Sequence, residues 1–155
     1  MLALSICIVI MAVITVDTLR LGISPMPTLS HEKKKVLSLI DPDFSGTIVD
    51  LGSGFGTMVR ALKKHAPKAT VIGIEKAFIP YIISKILLTP HIRYGDFTSS
   101  FPQGDLFYAY LYPGGMDKLP RDIPLISLAF AQRQRKPEKV LEVGVLQPTK
   151  IYVYK

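Results

Sequence analysis

The run TIVDLGSGFGTMVRAL, residues 47–62, decides the fold. Thr47 to Leu51 is mostly apolar and β-branched, and reads as a short, fully buried strand. Gly52-Ser53-Gly54-Phe55-Gly56 cannot continue it. Glycines at every second position mark a bend in which backbone takes positive φ or comes close to a ligand. From Thr57 a helix is expected as far as about His65. Asp50 closes the strand, and the helix start behind the bend offers unpaired N–H groups, so this corner is built to hold a polar small molecule.

Toward the C-terminus, Val71 to Glu75 reads as a second buried strand, followed by an apolar helix from about Phe78 to Leu88. Further strands are expected at His91 to Tyr94, Leu106 to Leu111 and Ile123 to Phe130. Strands alternating with helices imply a parallel sheet. The chain ends differently: Lys139 to Leu146 and Lys150 to Tyr154, joined by Gln147-Pro148-Thr149, read as an antiparallel hairpin at the sheet edge. Toward the N-terminus, Ser30 is expected to cap a helix to about Ile40, with Lys33 where a capping box prefers Glu. Asp41-Pro42-Asp43 ends that helix, Ser45-Gly46 turns the chain, and Gly22 to Ser30 is a linker. The expected fold class is α/β, Rossmann-like, a mostly parallel sheet closed by the hairpin and preceded by an N-terminal hydrophobic helix. Residues 1–23 form the leader, 24–46 the linker and first helix, and 47–155 the domain.

The leader, MLALSICIVIMAVITV, carries no charge, and every Lys and Arg lies beyond it. Sixteen residues of helix span about 24 Å, somewhat less than a bilayer's hydrocarbon core, which Leu19, Leu21 and Ile23 extend. A signal peptide wants a basic start and a cleavage site, and neither is evident. A buried core helix would need apolar partners that a small domain scarcely supplies. A retained membrane anchor is the reading carried forward. Arg20 and Lys33-Lys34-Lys35 then keep the domain on the cytoplasmic side. Those lysines read equally as a lipid contact or as a solvated helical turn. Cys7 is the single cysteine, which excludes a disulfide within the chain. His31, His65 and His91 lack ligand-spaced partners, and no metal is expected. A net charge of +7 suits a membrane, a nucleic acid or an acidic protein. No basic and aromatic stripe is evident along the sequence, and no nucleic acid is expected as partner.

Spacing narrows the ligand. Dinucleotide folds want G-x-G-x-x-G, whereas Gly52, Gly54 and Gly56 alternate and Asp50 precedes them. This form favours S-adenosylmethionine, with Asp50, Gly52, Ser53, Gly54 and Gly56 around its methionine end. Glu75 is placed to accept hydrogen bonds from the ribose hydroxyls, and Asp96 from the adenine amino group, with Phe97 packed on the ring. The plainer reading of Glu75 and Asp96 is a pair of solvated loop acids.

The order P-x-P-T, a basic helix, V-D-L-G-S-G-x-G, G-I-E, G-D, then L-Y-P resembles the small membrane-anchored protein-lysine methyltransferases, whose animal members modify the c-subunit of ATP synthase and the adenine nucleotide translocase. The resemblance runs from about Ser24 to Tyr154 and includes Pro137-Glu138-Lys139-Val140. It implies a class I fold, S-adenosylmethionine as cofactor, a lysine of a membrane-associated protein as acceptor, and Thr28 near the active site. Tyr112, after the fourth strand, is the candidate for positioning the substrate, or else an ordinary interfacial tyrosine; Gly114-Gly115 is expected to make a tight turn. Phe55 stands where the family usually has Asp, and Lys76-Ala77 where it tends to have Asn-Pro, so Lys76 also borders the cofactor. Three alternatives stay open: methyl transfer to a lipid or other small molecule at the membrane, a nicotinamide-dependent oxidoreductase, and a non-catalytic cofactor-binding module. Oligomeric state is not set by the sequence.

Overall fold

The computed structural model describes residues 28–88, 91–144 and 148–155, together with residues 4, 5, 8, 11, 12, 15 and 16. The expected strand β1 (Thr47–Leu51) forms with those bounds and lies at the centre of the sheet. It is parallel to β2 (Thr70–Glu75) on one side and to β4 (Leu106–Ala109) on the other. β3 (Ile92–Tyr94) extends the sheet beyond β2, and β5 (Leu125–Leu128) lies beyond β4, both parallel. β7 (Thr149–Tyr154) and β6 (Lys139–Val143) then close it antiparallel, so the full order is β3-β2-β1-β4-β5-β7-β6. The hairpin occupies the edge as expected; residues 145–147, the end of its expected first strand and the first residue of its expected turn, lie outside the described residues, and Thr149, expected in the turn, opens β7. Strand order reverses between β1 and β4, and such a switch point opens a crevice at the carboxyl ends of the strands.

Both faces of β1 are covered, which is why its sequence reads as a continuous apolar run. Ile48 packs with Val36, Ile40, Met58, Val59 and Leu62. Val49 and Leu51 pack with Phe107, Met116, Leu119 and Tyr154 on the other side. At about 25 cal/mol per Å² of apolar surface removed from water, each such side chain stabilises the fold by about 1.5–3 kcal/mol. Asp50 is the one charge in the strand and is only 2% exposed.

Several boundaries moved. The helix α1 (Ser30–Leu37) starts one residue earlier than expected, because Leu29 and not Ser30 is the N-cap. That shift puts Glu32 at the third helical position, where Oε2 accepts the Leu29 N–H at 2.8 Å. Half of a capping box forms with no help from a side chain at the cap itself. The helix ends at Leu37, short of Ile40, and Asp41 then turns the chain by accepting the Asp43 N–H at 2.9 Å. α2 (Thr57–His65) matches its expected bounds. α3 is shorter, Phe78–Ile83, and continues as a π turn, Ser84–Leu88. β4 and β5 are both shorter than expected at their ends. Tyr110 and Leu111 leave β4 toward the crevice, and Ala129 breaks β5 by taking φ +70°. Gly114-Gly115 does not form an isolated turn but lies in the one-turn helix α4 (Pro113–Met116).

The leader falls mainly outside the described residues. Those that are described, Leu4, Ser5, Ile8, Met11, Ala12, Thr15 and Val16, are helical, and Thr15 Oγ1 donates to the Met11 carbonyl at 2.8 Å. Leu4, Ile8, Met11 and Val16 are exposed. Among the described residues no helix is long and apolar enough to cross a membrane.

Candidate active site

The bend after β1 does not hang free. The Gly52 and Ser53 N–H groups both donate to the Ile74 carbonyl of β2, at 2.9 and 3.0 Å. This fold-over needs room, and Gly73 provides it. A Cβ there would lie 2.8 Å from Ser53 Cβ and 2.7 Å from its Oγ. Gly73 is the bend's floor, a role its place inside an apolar strand did not announce. Gly52, Gly54 and Gly56 all take positive φ, as the alternating spacing demanded.

Three strand ends bring their acids to one cleft of ≈ 420 Å³, a size typical of small-molecule sites. Thr28, Asp50, Gly52, Ser53, Gly54, Phe55, Glu75, Lys76, Asp96, Phe97 and Tyr112 all line it. Gly56 is not among the lining residues; its left-handed backbone caps α2 and so aims that helix. Thr28 comes in from outside the sheet, and its hydroxyl lies 3.3 Å from the Tyr108 hydroxyl on β4. Tyr112 sits at the N-cap of α4. The two glycines behind it leave space for its ring, since a Cβ on Gly114 would lie 2.7 Å from Tyr112 Cε2.

The acids are not equivalent. Glu75 is buried and ties two segments together: Oε2 accepts the Gly54 N–H and Oε1 the Ala77 N–H, each at 2.6 Å. The ribose contact expected of Glu75 therefore has to share oxygens that the backbone already uses, and each oxygen keeps a further lone pair. Asp96 is similarly engaged. Its Oδ2 pairs with Lys76 Nζ at 2.7 Å, and its Oδ1 accepts from the Thr98 hydroxyl and N–H at 2.7 and 2.9 Å. The bonds from Lys76 and Thr98 hold its pKa down to about 2. Asp50 Oδ2 has no such partner among the described residues. Burial, followed by the nearby Glu75 charge, pushes its pKa up to about 8. Register sets Asp50 between Gly73 and Tyr108, neither of which offers a positive charge.

The cleft meets a simple test for a cationic nucleoside ligand. Asp50 Oδ2 and Ser53 Oγ are buried polar atoms without a hydrogen-bond partner among the described residues, and such groups are costly unless a ligand satisfies them. A Cβ built on Gly54 meets nothing within 4 Å, so the bend opens directly onto the cleft. The opposite side of the cleft holds residues that sequence reasoning passed over: Tyr108, Tyr110, Leu111, Lys118, Ala129 and Phe130. The rule that loops after the carboxyl ends of β4 and β5 line the crevice was the available signal for most of them. Ala129 is strained, because a side chain in the left-handed region costs about 1–2 kcal/mol. Its N–H donates to the Lys150 carbonyl at 2.7 Å and the Ser127 hydroxyl to the Phe130 carbonyl at 2.6 Å, which together hold the turn.

Neither a family model nor a curated protein matches the sequence. Solved structures do. An RNA methyltransferase from Salinibacter ruber, in complex with S-adenosyl-L-homocysteine, superposes with a TM-score of 0.67 at 22% identity, over 83% of this chain and 92% of that one. A precorrin-6y C5,15-methyltransferase from Geobacter metallireducens gives 0.62 at 10% identity, over 86% and 92%. A B. subtilis tRNA methyltransferase gives 0.59 at 18%, over 81% and 65%. Likeness at these identities is one of fold: the chain has the seven-stranded, Rossmann-like architecture of these methyltransferases.

Proposed function

We propose that the chain is an S-adenosylmethionine-dependent methyltransferase. The observation that carries this reading is the convergence of Asp50, Glu75 and Asp96 with the glycine bend on one cleft, in a fold whose neighbours are methyltransferases, one of them in complex with S-adenosyl-L-homocysteine. Asp50, Gly52, Ser53 and Gly54 would hold the amino-acid end of the cofactor, Glu75 the ribose, and Lys76, Asp96 and Phe97 the adenine. Bound there, the cofactor supplies an electrophilic methyl group on a sulfonium that departs as a neutral thioether. The protein then has little proton chemistry to perform, and positioning and exclusion of water carry the rate.

The acceptor we favour is a lysine amine of a membrane-associated protein. A free lysine is neutral in under one part in a thousand at pH 7, since its pKa is about 10.4, so the cleft has to desolvate it. Tyr110, Tyr112 and Phe130 line the cleft opposite Phe97 and Asp96 and provide an apolar wall for that purpose. Thr28 and the resemblance to the membrane-anchored enzymes support this acceptor, as does the exposed apolar character of Leu4, Ile8 and Met11 for residence at a membrane. A nucleic acid is the second reading. It is favoured by the net charge of +7 and by the presence of RNA-directed enzymes among the structural neighbours.

Calorimetry with S-adenosylmethionine and S-adenosylhomocysteine tests the cofactor, and absence of binding to either refutes the assignment. Incubating the protein with methyl-labelled cofactor and separated membrane and RNA fractions then decides the acceptor. Label in membrane protein that survives alkaline hydrolysis is expected; label confined to RNA establishes the second reading.

A further inference from the structure

The β3 edge of the sheet carries a surface that the cleft does not use. Phe78 opens α3 and Tyr94 closes β3, and their rings meet edge to face, at 90° and 6.1 Å between centroids. Tyr81 leans on the same Tyr94 ring at 5.2 Å. Yet Phe78 is 51% exposed, Tyr94 57%, and Ile86 in the π turn 72%. Single exposed apolar side chains are ordinary, whereas a group on adjoining elements needs a reason.

Basic groups frame these side chains. Lys85 is exposed while its Nζ reaches the Ile92 carbonyl at 3.2 Å, which keeps it beside β3. Arg93 is exposed on β3 itself, and His91 just before it. Lys76, 54% exposed, stands at the near end of α3. From Lys76 to Gly95 the sequence holds Lys76, Lys85, Arg93 and His91 and no Asp or Glu. The sequence separates the aromatic residues from the basic ones, and the pairing of α3 with β3 gathers them.

We infer that this ledge, with Phe78, Ile86 and Tyr94 at its centre and Lys85 and Arg93 at its rim, docks on the headgroup layer of an anionic bilayer. Rings and an aliphatic side chain enter the boundary between headgroup and acyl chain, while long basic side chains keep their charges at the phosphate level. Lys76 is paired with Asp96, and beyond it the stretch to Gly95 contributes the basic side chains of Lys85 and Arg93 and no acid of its own. A single-stranded nucleic acid fits less well. Tyr94 already has Phe78 and Tyr81 against its ring, and Ile86 has no π face for a base to stack on. Tyr94 leads through Gly95 straight to Asp96 and Phe97 in the cleft, so docking would fix one lip of the cleft against the membrane plane. The inference rests on this surface alone and is independent of the methyltransferase reading.

The chain contains no Trp, so one introduced indole is an unambiguous reporter. Ile86→Trp places it on the ledge, and Val140→Trp on β6 places it at the opposite edge of the sheet, at a residue 48% exposed. Full-length variants are mixed with vesicles of phosphatidylcholine, with or without phosphatidylglycerol, containing brominated acyl chains for quenching. The expected result is a blue shift and quenching of the Ile86→Trp emission on anionic vesicles, with neither for Val140→Trp. Phe78→Glu combined with Ile86→Glu should lower partition onto anionic vesicles about tenfold, with circular dichroism and cofactor calorimetry unchanged. The inference fails if the chain does not bind anionic vesicles or if both indoles respond alike. It fails equally if the Ile86→Trp variant binds vesicles without a shift, or if single-stranded RNA and not vesicles produces the shift.

Discussion

At one side of the cleft Asp50 is buried without a counter-charge and holds its proton to about pH 8; at the other, Asp96 is half-open to solvent, gripped by Lys76 and Thr98, and loses its proton near pH 2. Asp50 lies near the end of β1 and Asp96 follows β3 of the same sheet, and both were read from the sequence as acids facing one cofactor. Their surroundings divide the labour. Asp96 is already satisfied by the protein and is free to shape specificity. Asp50 Oδ2 finds no partner among the described residues, and a ligand bearing positive charge or hydrogen-bond donors would complete it.

The largest effect is expected from removing the floor on which this difference stands. In Gly73→Ala the new Cβ would lie 2.5 Å from Ile92 Cδ1, which can turn aside, and 2.8 Å from Ser53 Cβ, which cannot move without the bend. Overpacking of this kind costs about 1–3 kcal/mol. Urea unfolding should register that loss, and calorimetry should show cofactor binding abolished, because the bend that carries it is displaced. Retention of full binding would show that the bend is not seated as described.

Next in size is Asp50→Asn. A folded-state pKa raised from 3.8 to about 8 means that ionisation disfavours the native state. Stability contributed at this position is intact below pH 4 and is lost as pH climbs toward 8. The Asn variant should therefore equal the wild type near pH 4 and exceed it at pH 9 in thermal melts. Binding runs the other way. A cation requires the ionised carboxylate, so affinity for S-adenosylmethionine should rise with pH to about 8 in the wild type and stay flat in Asp50→Asn. At pH 9 the variant should bind about tenfold to a hundredfold more weakly, as expected for a lost charge-assisted hydrogen bond. A wild-type affinity that is level from pH 6 to 9 would contradict this account.

Much of this site was legible in the residues, and the limits are physical. Asp50, the bend and the helix behind it were readable because a buried strand, left-handed glycines and a free helix start each leave a local mark. The bounds of β1 and α2 follow from the same marks. What was not legible depends on partners distant in sequence. Nothing near Glu75 shows that it would bind Gly54, 21 residues earlier, and Lys76 does not announce that it pairs with Asp96. Gly73 reads as a defect in a strand until Ser53 is seen against it. Strand ends were overestimated at β4 and β5 because apolar residues such as Leu111 and Phe130 suit a crevice wall as well as a strand.

Smaller changes probe the satisfied acid. Lys76→Met removes the partner of Asp96, and exposed pairs of this kind contribute at most about 1 kcal/mol. Cofactor affinity should change less than about fivefold, while the Asp96 pKa, followed by carboxyl NMR, should move up toward the usual range. A pKa that stays near 2 would show that Thr98 alone holds it. The smallest effect is acid sensitivity. Asp96 stabilises the fold fully above pH 4 and less as pH falls toward 2, a slight loss because the group is partly open to solvent and screened. Asp96→Asn should flatten the thermal midpoint between pH 4 and 2.5 by a small margin relative to wild type.

The double grip of Glu75 has one more consequence. Its two oxygens clasp the Gly54 and Ala77 amides, so the bend and the start of α3 move as one piece even before any ligand arrives. A nucleoside entering the cleft meets walls already set at their working separation and spends none of its affinity on drawing them together. By the same token, a pull on α3 from outside would be transmitted through one carboxylate to the glycine bend at the cleft.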